Sequence, residues 1–329
     1  MKVLRRLRRE IGLYPTTRLT LTFIKRVCHR ALLNCFLGKR QLIKLRVFDH
    51  DMLVDKNDKG VSSELSIYGI HEPLMSVLIS KTIREDDYVV DIGANIGYYV
   101  LIETSLLKEN GKVLAIEPNK KSFRLLKMNI ANCQGVKTLQ VAVGSKQETG
   151  VMLAYDALNL SRLATGKDAA GPDLNQENTV EIMPLDELVR SEPHVDVIRM
   201  DIEGFEFEAI NGMLKTLSDF RPRALFFELH PIENRALMDS FFEILNKLDY
   251  EVEWATPRQL MPALLSVPSP LLHEVVRTIQ TRKLDLATTI ESKRIPIEVF
   301  AKQFFASKEI YHVIFSVKPE KVGLSQSCN

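Results

Sequence analysis

The stretch Val89–Val100, VVDIGANIGYYV, decides how this chain is read. An apolar run ends in an aspartate, passes two glycines with an asparagine between them, and turns apolar again. Tyr88–Asp91 reads as a buried strand and Ile96–Leu107 as a helix, so the glycines occupy a strand-to-helix turn. A dinucleotide-binding turn needs G-x-G-x-x-G. Counted from Gly93, its second and third glycines are replaced by Asn95 and Tyr98, and no G-K-[ST] follows to make a phosphate loop. What the turn does offer is a tight bend at Gly93 and Gly97, where a Cβ would intrude on a ligand. It also offers a carboxylate, Asp91, at the rim, suited to a cationic amino group. LAIEP then puts Glu117 at the end of the next strand, where its two oxygens can accept both hydroxyls of a ribose. A cationic amine at one end and a ribose at the other describe S-adenosylmethionine.

Working outward, strand and helix patterns alternate. Lys112–Glu117 is a strand, and Phe123, Leu126 and Ile130 share one face of the next helix. Lys137–Val143 is a third strand. After an irregular stretch, Asp156–Asn178, come a strand at Val195–Met200, a helix from Phe205 to Leu217 and a strand at Ala224–Glu228. A helix over Ile232–Leu248 and strands at Tyr250–Ala255 and His312–Val317 complete the series. Ahead of it, residues 44–60 read as two short strands, and Glu72–Ile83 has helical spacing. Such alternation means an α/β fold: a parallel sheet, helices on both faces, and a ligand beyond the carboxyl ends of the strands.

Three divisions follow: a basic arm over 1–46, read as helical; strands and a helix over 47–83; and a main domain over 84–329. A helical and loop insert at about 256–311 is punctuated by Pro257, Pro262, Pro268, Pro270 and Pro296. The net charge of +2 hides thirteen Lys or Arg against one acid in residues 1–46, leaving −10 for the rest. That arm suits an anionic membrane surface. Lys25, Arg26, His29 and Arg30 interrupt its apolar portion, Leu19–Leu37, which argues for an amphipathic surface helix over a spanning one. Cys28, Cys35, Cys133 and Cys328 form no C-x-x-C pair, so neither a disulfide framework nor a zinc site is expected. A cytoplasmic location follows, peripheral to a membrane if the arm binds one.

VVDIGANIGYYV, AIEPN, LQVAVGS and VIRMDIEGFEFEAINGM, in that order, resemble the FkbM-type family of S-adenosylmethionine-dependent methyltransferases. YGIHEP, IMPLDEL and FFELHP fit the same pattern, and the resemblance covers roughly residues 60–255. It implies a Rossmann-like, seven-stranded class I methyltransferase sheet, mostly parallel, with a C-terminal antiparallel hairpin. It implies that Asp91, Gly93, Ala94, Asn95 and Gly97 line the methionine end of S-adenosylmethionine. Glu117, with Pro118, would hold the ribose, Ala142 and Val143 would border the adenine, and Glu72 would stand at the pocket entrance. Family members mostly methylate hydroxyl oxygens, so the implied acceptor is a sugar, glycolipid or natural product.

A hydroxyl is a poor nucleophile at neutral pH, and a base within reach would help. Asp201, which directly follows VDVIRM, is the first candidate for base or metal ligand, and His230 the second. The weaker alternative for Asp201 is to cap the next helix, and Glu203 reads as a helix-start acid. Asp201, Glu228 and His230 form a set that Mg²⁺ could share with a diol, although no spacing demands a metal. The stretch 156–178, with Asn159, Ser161 and Arg162, reads as a substrate-covering lid or a connector. A nucleic-acid methyltransferase using the basic arm is the rival enzyme, but DIEGF stands where a flipped-base motif would be. A non-catalytic binding protein of this fold would be expected to lack Asp91, Glu117 and Asp201, which are all present.

Overall fold

A computed structural model describes residues 41–48, 50–58, 60–153, 162–164, 179–258 and 294–318. A hairpin of β1 (Leu42–Val47) and β2 (His50–Asp55) comes first, then α1 (Val61–Tyr68) and α2 (Pro73–Thr82). The alternation begins with β3 (Tyr88–Ile92), α3 (Tyr98–Leu106), β4 (Lys112–Ile116), α4 (Lys120–Asn129) and β5 (Val136–Leu139). Next come β6 (Ala142–Val143), β7 (Glu148–Leu153), β8 (Arg162–Ala164), β9 (Thr179–Met183) and the short α5 (Leu185–Leu188). Finally β10 (Val197–Met200), α6 (Glu206–Ala209), β11 (Ala224–Leu229), α7 (Arg235–Lys247), β12 (Tyr250–Pro257), α8 (Ile297–Ser307) and β13 (Tyr311–Val317) complete the described chain.

The main sheet has seven strands in the order β12-β13-β11-β10-β3-β4-β5. β3, β4, β5, β10 and β11 run parallel, whereas β13 lies antiparallel to both β11 and β12. This is the mostly parallel sheet with an antiparallel final pair that the resemblance implies. Its strand order reverses between β3 and β10, where a ligand crevice is expected.

Alternation along each strand sends residues to two apolar layers. Val89, Val113, Val197 and Phe226 face α2, α3, α4 and the β1–β2 hairpin. Val90, Leu114, Ile198 and Phe227 face the other side, where α7 and α8 bring Phe241, Phe242, Phe300 and Phe304. Phe241 is fully buried and makes edge or tilted contacts with Phe207, Phe227, Phe242 and Phe315. On α4, Asn119 caps the first turn by accepting from the N–H groups of Lys121 and Ser122.

Three expectations change. The strand read over Lys137–Val143 splits: β5 ends at Leu139, and Ala142–Val143 leave the main sheet to pair with Ile182 and Met183 of β9. They thereby join a second sheet, β6-β9-β7-β8. The helix read over Phe205–Leu217 is only one turn of α-helix, then a 3₁₀ turn at Ile210–Gly212 and a π turn at Thr216–Phe220. Close packing breaks it, because a Cβ on Gly212 would lie 1.9 Å from the carbonyl oxygen of Gly144. Asp186 of α5 takes over the exposed N–H groups of Lys215 and Thr216. Of the basic arm, residues 42–46 belong to β1, and residues 1–40 lie outside the described residues. Most of 156–178 and of the 256–311 insert lies outside them too, except that 162–164 form β8 and Ile297–Ser307 form α8. No helix among the described residues is long and apolar enough to cross a membrane.

Removing the Phe241 ring would leave a cavity among the four aromatic rings it touches. Phe241→Ala should lower the unfolding free energy by about 3–5 kcal/mol, read from urea denaturation of the two proteins.

Candidate active site

Sheet register builds the site. Arg199 of β10 stands directly beside Asp91 of β3. Both belong to the face of the sheet that α3 covers, since they alternate with Ile198 and Val90. The Arg199 guanidinium donates through Nη1 to Asp91 Oδ1 at 2.9 Å and through Nη2 to Asp201 Oδ2 at 3.0 Å. Its plane lies 4.0 Å from the centre of the Tyr99 ring. Burial raises Asp91 above the usual carboxylate range, with Arg199 opposing the shift. Nearby on α3, Glu103 is fully buried, and neither of its carboxyl oxygens has a hydrogen-bond partner. Burial and the charge of Asp91 push it well above its ordinary value, against Arg199. One guanidinium thus sets the charge of the floor.

Above that floor, beyond the carboxyl ends of the strands, opens a cleft. Its walls include Gly93, Ala94 and Asn95 after β3, Glu117 and Pro118 after β4, and Ala142, Val143, Met152 and Leu163 from the second sheet. The glycine turn is pinned by N–H groups of Gly93 and Ala94, which both donate to the Ile116 carbonyl. Gly93 has φ +84°, and a Cβ there would meet the Asp201 carbonyl oxygen at 1.9 Å, so glycine is required for the turn to pack against the chain after β10, and not, as the sequence suggested, to spare a ligand. Glu117 accepts from the Asn95 N–H at 2.8 Å and the Asn119 N–H at 2.7 Å. Burial pushes its carboxyl up to about 7 despite those two donors, helped by the charges of Asp91 and Asp201. Non-glycine residues in the left-handed region border the cleft at Asn95 (φ 50°) and Glu203 (φ 55°), and a third, Glu72 (φ 39°), lies behind its wall. Strain of this kind persists where surrounding contacts impose it.

The far end of the cleft is densely charged. Asp201, Glu203, Arg199, His71 and Arg258 line it. His230 lies beside it, with Nδ1 3.1 Å from Glu206 Oε1 and Nε2 3.2 Å from Glu203 Oε2. Burial alone would draw His230 down, but the carboxylates of Glu203 and Glu206 outweigh it and push it up to about 12. Glu228 and His312 are register partners on β11 and β13. His312 Nε2 lies 3.3 Å from Glu72 Oε1 and 3.5 Å from Glu228 Oε1, and Arg258 Nε lies 3.1 Å from Glu228 Oε1. Burial opposes a charge on His312, yet Glu72 and Glu228 push it up to about 10. Tyr99 donates its hydroxyl to Glu72 Oε2 at 2.7 Å.

Residues 91–252 match the sequence profile described as a methyltransferase FkbM domain. The core of this chain is an FkbM methyltransferase domain. Among curated proteins, the hexuronic acid methyltransferase AglP of Haloferax volcanii is 28% identical over 142 residues, 43% of this chain. The chain spans 55% of that relative's length. Among solved structures, Trm5b from Pyrococcus abyssi is similar at 14% identity and TM-score 0.41, covering 69% of this chain and 54% of that one. Aeropyrum pernix fibrillarin, solved with natively bound S-adenosyl-L-methionine, is similar at 9% identity and TM-score 0.39, covering 83% and 87%. The strand order of the sheet, independent of these faint likenesses, carries the fold.

Within the FkbM domain, Gly93, Ala94, Asn95, Glu117, Pro118, Ala142, Val143 and Asp201 all face one cleft. Three residues lie elsewhere than the sequence suggested. Asp91 is not at the rim: it is fully buried under the turn, because its in-register neighbour Arg199 engages its carboxylate. Glu72 is held back from the entrance by Tyr99 and His312. Gly97 gives the room in which α3 meets Leu126, where a Cβ would come within 2.8 Å. Asp201 caps no helix, since α6 starts at Glu206 and its cap makes no side-chain bond. Glu203 sits in the loop ahead of that helix, facing His230. Sequence reading passed over Arg199, Tyr99, Arg258 and His312. A signal existed for Arg199, an arginine inside the apolar strand VDVIRM; Arg258 and His312 needed the register of the last two strands.

Because the folded chain binds the Glu117 proton more tightly than the unfolded chain does, stability present below the usual carboxylate range is lost as pH rises toward 7. Glu117→Gln cannot ionise. Its melting temperature relative to the parent should therefore rise between about pH 5 and about pH 8. A difference that stays flat across that range would show that Glu117 is not titrating there.

Proposed function

We propose that this chain transfers a methyl group from S-adenosylmethionine to a hydroxyl oxygen on a sugar-containing or natural-product acceptor. The observation that carries the reading is the Glu117 carboxylate on the cleft wall, joined to the Gly93–Asn95 turn through the Asn95 N–H. These residues fit the donor: a backbone cradle at Gly93–Asn95, an acid able to take two ribose hydroxyls, and an apolar wall at Ala142, Val143, Met152 and Leu163 for a flat base. The FkbM domain supports the reaction class. The name of the relative from Haloferax volcanii supports a sugar acceptor.

When bound, S-adenosylmethionine supplies a methyl group already activated on a sulfonium. The protein's tasks are then alignment and proton handling. The acceptor hydroxyl gives up its proton to Asp201, the base proposed here, as its oxygen takes the methyl. Asp201, at the carboxyl end of β10 and anchored by Arg199, and His230, oriented by Glu206, are the groups proposed to meet that oxygen. Asp91 contributes from below by keeping Arg199, and through it Asp201, in place.

Calorimetry with S-adenosylhomocysteine tests the donor, and a screen of hydroxyl acceptors with labelled S-adenosylmethionine tests the acceptor. S-adenosylhomocysteine should bind and NAD should not; the reverse would end this reading. Asp201→Asn should keep S-adenosylhomocysteine affinity within about twofold while turnover falls by about 10²–10⁴-fold. Full turnover in that variant would remove Asp201 from the chemistry.

A further inference from the structure

Asp201, Glu203 and His230 each offer one ligand-type atom, and these three atoms lie within 4.8 Å of one another. The histidine is what singles the group out. Glu206 Oε1 already accepts the N–H groups of Ile202 and Gly204, so it can only accept from His230, and Nδ1–H must donate to it. That fixes the ring and aims Nε2 at Glu203 and the cleft. Nε2 is buried on a residue only 8% exposed, and it makes no aligned hydrogen bond although Glu203 Oε2 is 3.2 Å away. Adjacent ligands around an ion with bonds of about 2.1 Å stand about 3 Å apart. A carboxylate behind a ligating imidazole is the usual outer partner of a metal-bound histidine.

We propose that Asp201, Glu203 and His230 bind one divalent cation of the Mn²⁺ class at the acceptor end of the cleft, a site that deepens the methyl-transfer reading and rests on it for its role. Two carboxylates with one imidazole suit an ion between the hard and the borderline metals. Asp201 and Glu203 both face the cleft, so the remaining positions open toward the acceptor. An ion there draws the acceptor hydroxyl onto itself and eases loss of its proton. The neighbouring group of Glu72, Glu228 and His312 has equally close atoms. It carries no such site, because none of its three residues lines the cleft and its carboxylates are already shared between His312 and Arg258.

The test is titration of the full-length protein with Mn²⁺, with free ion followed by electron paramagnetic resonance, in the parent, Glu203→Gln and His230→Gln. S-adenosylhomocysteine calorimetry runs in parallel on each. One Mn²⁺ should bind per chain, and each variant should weaken it by about 10–100-fold while keeping S-adenosylhomocysteine affinity. Glu203 lies on the cleft wall, so its variant reports even if His230→Gln loses the fold. No Mn²⁺ binding by the parent at millimolar ion, or unchanged binding in both variants, overturns the site. A parent that holds Mn²⁺ but not S-adenosylhomocysteine supports the site and overturns the methyl-donor reading instead.

Discussion

A single buried guanidinium organises this molecule's working end. Arg199 joins two strands that are adjacent in the sheet but 108 residues apart in the chain, tying Asp91 of β3 to β10 and holding Asp201 at the same time. Burying a charge costs several kcal/mol unless it is paired in good geometry. Here the cost is met on three sides: two carboxylates in its plane and the Tyr99 ring on its face. The small side chain of Ala115, in register on the other side of Asp91, lets the pair sit within the sheet's own layer. Remove this bridge and the turn at Gly93 loses one of its supports, since Arg199 also reaches toward the Gly93 carbonyl at 3.4 Å.

The same logic repeats one step further up the sheet. Beyond the Asp91–Arg199 row, on the same side of the strands, come Asp201, Glu228 and His312, the last two as register partners. Alternation that buries valine and phenylalanine lower down thus delivers acids and histidines where the parallel strands end. Each buried acid there has a cation close by: Glu228 has Arg258 and His312, and Glu72 has His312. Glu103 differs: its oxygens are buried and unpartnered, and burial with the charge of Asp91 raises its carboxyl well above the ordinary value.

Local patterns were legible in the sequence, and long-range pairings were not. The Gly93 turn, the acid at Glu117 and the apolar pair Ala142–Val143 follow from spacing and residue type within a few positions, and all of them reach the cleft. The strand–helix alternation likewise points to the sheet. Asp91 was misplaced because its partner is set by parallel register with a strand far along the chain. His312 was invisible as a site residue because the antiparallel β13 inserts between β11 and β12. The broken helix after Phe205 escaped because the cause lies in another segment, the close approach of Gly144 to Gly212. A resemblance supplied the sheet and the donor; the physical arrangement of the charged end came only with the fold.

The order of the strands also divides labour along the chain. The side of Glu117 is built from residues before 164, and the charged end around His230 mainly from residues after 198, with His71, Glu72 and Tyr99 added from earlier in the chain. β12 closes at Pro257 opposite Tyr311, where β13 begins, so the sequence between those strands departs and returns beside Arg258. On the proposed reading, exchanging sequence late in the chain would change the acceptor end of the cleft and leave the donor end untouched.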